Sequence, residues 1–250
     1  MEMIREMAVW LPLDLYAQVP VLLPWVVRDP KCRPHKAAGQ TVPDQWGAPD
    51  SDGFQRDDNS LIKGIPKSLQ IAGPDDSPLT GKKMGPSFVA SHIWREVEGL
   101  GMLASRHPKL NSFVPNLVWL PKQISKLSDR EGSIIQDMLK TASWSIYRDA
   151  AVDPRFRSQV EEIWGLLKPS YDKLQYRLEI SLEKSLQFVS SANFVESRKK
   201  PAAEVIKFID SILSQIPQST KRLSGRYIKG LPLLSREKLT SLRSQVSPFI

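Results

Sequence analysis

The fold of this 250-residue chain is decided by residues 88–147. They begin FVASHIW (88–94) and resume, after an insert, as NSFVPNLVWLPKQISKLSDREGSIIQDMLKTASWSIY (111–147). The first apolar run follows a Gly-Pro turn and carries His92, so it predicts a short strand. Residues 113–120 predict a second strand beside it. One histidine and one asparagine would then lie on neighbouring strands.

A helix is predicted directly after the second strand. Ser128 and Glu131 have the S-x-x-E spacing of a capping box, and apolar residues recur at helical spacing as far as Ile146. The insert WREVEGLGMLAS (94–105) is also expected to be helical. The order strand, strand, helix predicts a small α+β core over residues 85–150.

The two flanking sections differ from this core and from each other. Residues 1–84 are rich in Pro, Gly and Asp, which disfavour long regular elements, so we expect them to cover the core. Residues 151–250 predict a helical, basic C-terminal region. The fold class is therefore α+β and mainly helical. Further helices are expected at about 156–167, along an apolar stripe over 171–189, from Pro201 onward and at about 235–245.

Composition and charge limit the possible partners. The chain is 41% hydrophobic with a net charge of +8, and one cysteine excludes an intramolecular disulfide. From residue 198 onward, eleven Lys and Arg face three acids. This asymmetry predicts a polyanion partner, DNA ahead of RNA, although a solvated helical face remains an alternative. Candidate nucleic-acid contacts are Arg198, Lys199, Lys200, Lys221, Arg222, Arg226 and Lys229.

The N-terminal apolar run does not have the pattern of a membrane-spanning segment. Residues 10–27 contain three prolines and Asp14, and no positive region or small-residue cleavage site accompanies them. Together with the single cysteine, this predicts a cytoplasmic protein without a membrane partner.

Two residues of the predicted core have the chemistry of phosphodiester hydrolysis. That reaction needs a base that takes a proton from water and a cation that neutralises phosphate charge. His92 suits the first role because an imidazole titrates near neutrality. Asn116 offers an amide oxygen, and amide and carboxylate oxygens suit Mg²⁺.

The residues SHIW (91–94), NLVWLP (116–121) and LSD (127–129) resemble the H-I-W…N-L-V-x-L-P…L-[ST]-D pattern of bacterial HNH (ββα-metal) nuclease-like proteins. The likeness covers about 60 of the 250 residues. It implies a DNA endonuclease dependent on Mg²⁺ or Mn²⁺, with a role in restriction or phage defence. By the same resemblance His92 is the general base, Asn116 holds the hairpin and orients the histidine, and Asp129 is a metal ligand.

Other interpretations of the same residues stay open. Ser91 stands where the nuclease pattern has an acidic residue or a histidine, which favours a non-catalytic nucleic-acid-binding protein that keeps the hairpin as a scaffold. His92 can be a hydrogen-bonded structural residue, Asn116 a turn residue and Asp129 a first-turn helix residue. A third interpretation is a helical interaction module, whose 171–189 stripe faces a protein partner or a second copy.

Overall fold

The computed structural model describes residues 6–24, 36–37, 40–41, 59–99, 103–107, 109–128, 130–167, 185–216 and 231–250. Short strands and longer helices alternate along these ranges. The strands are β1 (Val9–Trp10), β2 (Lys36–Ala37), β3 (Gln40–Thr41), β4 (Ile71–Ala72), β5 (Phe88–His92), β6 (Leu117–Pro121) and β7 (Leu186–Phe188). The helices are α1 (Leu13–Gln18), α2 (Asn59–Gly64), α3 (Lys122–Ser128), α4 (Ile134–Tyr147), α5 (Arg157–Leu166), α6 (Ala192–Ser214) and α7 (Arg236–Val246).

Five of the strands form one mixed sheet in the order β4-β7-β1-β6-β5. Strands β1 and β7 are parallel, and the other neighbours are antiparallel. In the β5–β6 hairpin, Phe88 lies opposite Pro121 at one end and His92 lies opposite Leu117 at the other. With about 3.3 Å per residue, the two ends of the hairpin lie about 13 Å apart.

Buried aromatic side chains cover both faces of the sheet. Trp119 packs against Phe188 with ring centroids 5.5 Å apart, and its indole N–H donates to the carbonyl of Lys63 in α2. Trp10 projects from the neighbouring strand toward Tyr147 of α4, whose hydroxyl donates to the Leu11 carbonyl at 2.5 Å. Helices and a central sheet share one core, so the predicted α+β class is confirmed.

The sheet takes strands from all three predicted segments. β1 and β4 come from residues 1–84, the hairpin from 85–150 and β7 from 151–250. The C-terminal region therefore contains a strand as well as helices. Residues 186–188 form β7, so the helix predicted along the 171–189 stripe does not extend through them, and residues 171–184 of that stripe lie outside the described ranges. No described helix is both long and apolar enough to cross a bilayer.

Three local predictions were wrong. The insert after β5 is not one helix: Glu96 forms a β-bridge with Leu103, and a turn at Gly99 has a φ of 83°. Of its described residues, Ala104 and Ser105 are helical, in the short 3₁₀ turn Ala104–Arg106. The cap of α4 is Ser133, whose hydroxyl accepts from the Gln136 N–H, so the S-x-x-Q pair at 133–136 replaces the predicted pair at 128–131. Likewise α6 begins after Ser191, which caps it, and Pro201 lies inside the helix.

The predictions for the two other C-terminal helices are confirmed. α5 covers Arg157–Leu166, and α7 covers Arg236–Val246 with Ser235 as its N-cap. Both helices bury apolar side chains on one face, among them Ile163 and Leu242. Periodic apolar spacing therefore located these two helices correctly, whereas the start signals at Ser128 and Pro201 were misleading.

Candidate functional site

His92 ends β5 and is enclosed by the protein. Its side chain is 5% exposed, and its Nε2 lies 2.8 Å from the backbone carbonyl oxygen of Asn111. Because a carbonyl only accepts, Nε2 carries the hydrogen of the neutral ring. Burial lowers the pKa of His92 to about 4, more than the bond to Asn111 can raise it. At neutral pH the ring is therefore uncharged, with Nδ1 as its basic atom.

Asn116 closes the loop that joins the two strands of the hairpin. It ends the 3₁₀ turn Val114–Asn116, immediately before β6, and is fully buried. Its Oδ1 accepts from the Trp94 N–H at 2.7 Å, and its Nδ2 donates to the Leu110 carbonyl at 3.1 Å. One carboxamide thus ties the start of the loop to its end.

His92 and Asn116 are brought together through adjacent carbonyl groups. The imidazole donates to Asn111, and the carboxamide donates to Leu110. The two side chains therefore hold the same short piece of backbone. We call this end of the hairpin, made by His92, Trp94, Leu110, Asn111 and Asn116, the loop end.

The N-terminal segment closes the loop end from a second side. The Ser112 carbonyl accepts from the Leu22 N–H at 2.9 Å, and its hydroxyl accepts from the Leu23 N–H at 2.9 Å. The Val114 N–H donates to the Pro20 carbonyl at 2.9 Å. These hydrogen bonds join residues 20–23 to residues 112–114.

A polar network behind the loop end was not predicted from the sequence. Gln136 is fully buried, and its Nε2 donates to the Ile93 carbonyl at 3.2 Å and to Glu131 at 2.8 Å. Lys140 forms an ion pair with the same carboxylate at 3.1 Å. Burial alone would raise the pKa of Glu131, but the hydrogen bonds from Gln136 and Lys140 lower it. The S-x-x-Q pair ending in Gln136 was the signal that could have revealed it.

The donors at the loop end do not fit Mg²⁺ or Mn²⁺. Such ions are bound through carboxylates, whereas this end offers Ser91, amides and backbone carbonyls, and Asn116 Oδ1 already accepts from Trp94. Within the described ranges, no three His, Cys, Asp or Glu side chains lie together as ion ligands would. Asp129, the predicted ligand, lies outside those ranges. We therefore assign no reaction step to a metal.

Most described cations predicted as nucleic-acid contacts have partners on their own helix. Lys199 pairs with Glu196 at 3.2 Å, and the Arg198 guanidinium lies 5.4 Å from the ring centroid of Phe194. Lys200 is exposed. The remaining candidates, Lys221, Arg222, Arg226 and Lys229, lie outside the described ranges.

A second group of cations surrounds the hairpin and was missed. Residues 59–69, 77–95 and 109–128 contain no Asp or Glu. They form α2, α3 and the hairpin itself, and both helices contact β5. The absence of acids from these three stretches was the available signal. We name the lysines of the two helices and of the 3₁₀ turn after α2 the hairpin lysines: Lys63, Lys67, Lys122 and Lys126.

The two hairpin lysines of α3 face outward. Lys122 and Lys126 are one helical turn apart and exposed, while Ser125 between them is buried. Lys67 is exposed in the 3₁₀ turn, and Lys63 reaches the Pro86 carbonyl at 3.4 Å, beside the start of β5.

A comparison of the chain with models of protein families, with curated proteins and with solved structures gave no match.

Proposed function

We propose that this chain binds nucleic acid through its phosphate backbone, with the β5–β6 hairpin as a non-catalytic scaffold. The observation that carries the proposal is the set of hairpin lysines on elements without a single acid. Lysines on such a surface attract phosphates and release counterions, whereas Lys199 and Lys207 on α6 are neutralised by Glu196 and Glu204.

The scaffold role rests on the closed loop end. A general base must come within hydrogen-bond reach of its water, and the His92 ring is 5% exposed and bound to Asn111. The bond from His92 to Asn111 and the two bonds of Asn116 fix the loop that joins β5 to β6. On this view the nuclease-like pattern is kept for the shape that it gives the surface.

The binding test is the salt dependence of affinity for duplex DNA. We expect the double variant Lys122→Gln/Lys126→Gln to bind more weakly and to lower the slope of log affinity against log salt by about 1.8, or 0.9 for each phosphate contact. The matched control is Lys199→Gln/Lys207→Gln, which removes the same charge from α6 and should bind like the wild type. An equal loss in both variants, or no DNA affinity at low salt, would refute the proposal.

A second candidate is an HNH-like DNA endonuclease, and one observation favours it. The carbonyl of Asn111 fixes the His92 ring so that Nδ1 is its basic atom, and Asn116 donates to the carbonyl of the preceding residue, Leu110. A base oriented in this way could take a proton from water, provided that the loop end opens to admit it.

Plasmid nicking separates the two candidates. Supercoiled DNA is incubated with the full chain in Mg²⁺ or Mn²⁺, with His92→Gln and His107→Gln as matched variants whose folding is checked by circular dichroism. The scaffold proposal predicts no nicking above background for any of them. Nicking that His92→Gln abolishes and His107→Gln retains would establish the endonuclease instead.

A further inference from the structure

A cavity of about 400 Å³ lies at the end of the hairpin opposite to the loop end. It is lined by Phe88 at the start of β5, Pro121 at the end of β6 and Leu186 at the start of β7. The turn after β4 and the residues just before β1 complete its wall. All five strands of the sheet thus end around one space, whose volume is that of small-molecule sites. We call it the cavity end.

The wall formed by the turn after β4 is held by its own hydrogen bonds. The Thr80 hydroxyl donates to the Pro74 carbonyl at 2.8 Å, and the Gly81 N–H donates to the Ile71 carbonyl at 2.8 Å. Gly81 has a φ of 77°, which glycine adopts without strain. Gly73 packs so tightly that a Cβ there would lie 2.4 Å from Leu186 Cδ2. The wall is therefore formed before any ligand arrives, which lowers the entropy cost of binding.

The lining combines an apolar floor with negative charge at the rim. Leu186 and Phe88 are buried beneath the cavity, and Leu79 and Pro121 are half-buried around it. Glu6 and Asp76 are exposed lining residues, and none of the described residues that line the cavity is a Lys or an Arg. An apolar group fits the floor, and a positive charge at its end complements the two carboxylates.

We propose that the cavity end binds a small amphipathic amine, with its hydrocarbon part on Phe88 and Leu186 and its ammonium group at Glu6 and Asp76. An anionic ligand of the same shape is repelled by both carboxylates and loses its hydration on entry. The site lies beside two of the hairpin lysines, because the Lys122 N–H donates to the Ser87 carbonyl at 2.8 Å and the Lys63 ammonium donates to the Pro86 carbonyl at 3.4 Å. Neither lysine side chain lines the cavity.

Three probes that share a phenylbutyl skeleton and differ in the terminal group test the proposal by calorimetry on the full chain. They are 4-phenylbutylamine, 4-phenylbutanol and 4-phenylbutyrate. We expect the amine to bind most tightly, the alcohol more weakly and the carboxylate weakest. The double variant Glu6→Gln/Asp76→Asn should weaken the amine about three- to tenfold, as two exposed ion pairs allow, and leave the alcohol unchanged.

Two further variants make the result specific. Asp75→Asn removes a neighbouring exposed acid that does not line the cavity, so it should bind the amine like the wild type. Ser87→Trp places a large side chain at the rim and should abolish binding of the amine and of the alcohol. Binding that survives Ser87→Trp, a carboxylate probe that binds as tightly as the amine, or no binding of any probe would overturn the proposal.

Discussion

The two ends of the β5–β6 hairpin lie about 13 Å apart and differ in how their polar groups are used. At the loop end, the side chains of His92 and Asn116 are buried and bound to backbone groups. At the cavity end, Glu6 and Asp76 are exposed around an apolar space. Buried polar groups with fixed partners stabilise a fold, whereas exposed charge beside apolar surface is available to a ligand.

The largest expected difference between the two ends concerns Asn116. Replacing it with alanine leaves the Trp94 N–H and the Leu110 carbonyl buried without their partner, so we expect unfolding to become easier by about 2 to 5 kcal/mol. Urea unfolding measures this change. Ser87→Ala at the cavity end is the control, with an expected change within about 0.5 kcal/mol. Similar losses of unfolding free energy in both variants would show that the two ends of the hairpin do not differ in their contribution to stability.

The next difference is the pH dependence of stability. The pKa of His92 is lowered from 6.5 to about 4 in the folded protein, so the unfolded chain binds the proton first as the pH falls. The stability associated with the neutral ring is complete above about pH 6.5 and is lost as the pH falls to about 4. Each pKa unit corresponds to about 1.4 kcal/mol, which makes the loss about 3 kcal/mol.

The variant His92→Gln isolates that contribution. Urea unfolding from pH 7 down to pH 4 should show a steeper fall of the unfolding free energy for the wild type than for this variant. Ser87→Ala should keep the wild-type pH dependence. Parallel curves for wild type and His92→Gln would mean that the ring titrates normally in the folded state.

A smaller effect is expected from packing at the cavity end. Gly73→Ala forces a methyl group against the buried Leu186, which we expect to cost about 1 to 3 kcal/mol of stability. Gly64→Ala is its matched control, because nothing lies within 4 Å of the added carbon and the backbone there is helical. That variant should gain about 0.5 to 1 kcal/mol. Thermal unfolding of both variants decides whether the wall is as tight as we describe.

The smallest effect concerns the helix cap beside the loop end. Ser133→Ala removes the hydroxyl that accepts from the Gln136 N–H, and we expect a loss of about 1 kcal/mol. Ser87→Ala is again the control, with an expected change within about 0.5 kcal/mol. A loss in Ser133→Ala no larger than that of the control would contradict the assignment of Ser133 as the cap.

The sequence predicted the hairpin well and its surroundings poorly, for physical reasons. Short apolar runs indicated β5 and β6, because strand signals are local. The second strand was predicted from residue 113, but Val114–Asn116 form a 3₁₀ turn and β6 begins at Leu117. That Asn116 holds the hairpin was implied by the resemblance to HNH proteins. Strands β1 and β7 have two and three residues, too few for a period, and they exist because the sheet buries them. The enclosure of His92 was not predictable, since it depends on Asn111 and on a segment about 90 residues earlier in the chain.

The cavity and the hairpin lysines illustrate a second limit. The cavity is formed where five strand ends meet, and its residues range from Glu6 to Leu186, so no stretch of sequence shows it. The lysines of α2 and α3 are distant in the chain, and only the fold shows that both helices contact β5. Charge counted along the chain pointed to the C-terminal helices, where several cations are in fact paired with acids.

The closed loop end is tested most directly by following the His92 ring by NMR as the pH is lowered. Our account predicts a neutral ring with its hydrogen on Nε2 and no titration until about pH 4, because burial disfavours the imidazolium. A ring that titrates near its ordinary pKa of about 6.5, or that carries its hydrogen on Nδ1, would show that His92 is open to water. That result would contradict the scaffold role of the hairpin and favour the endonuclease.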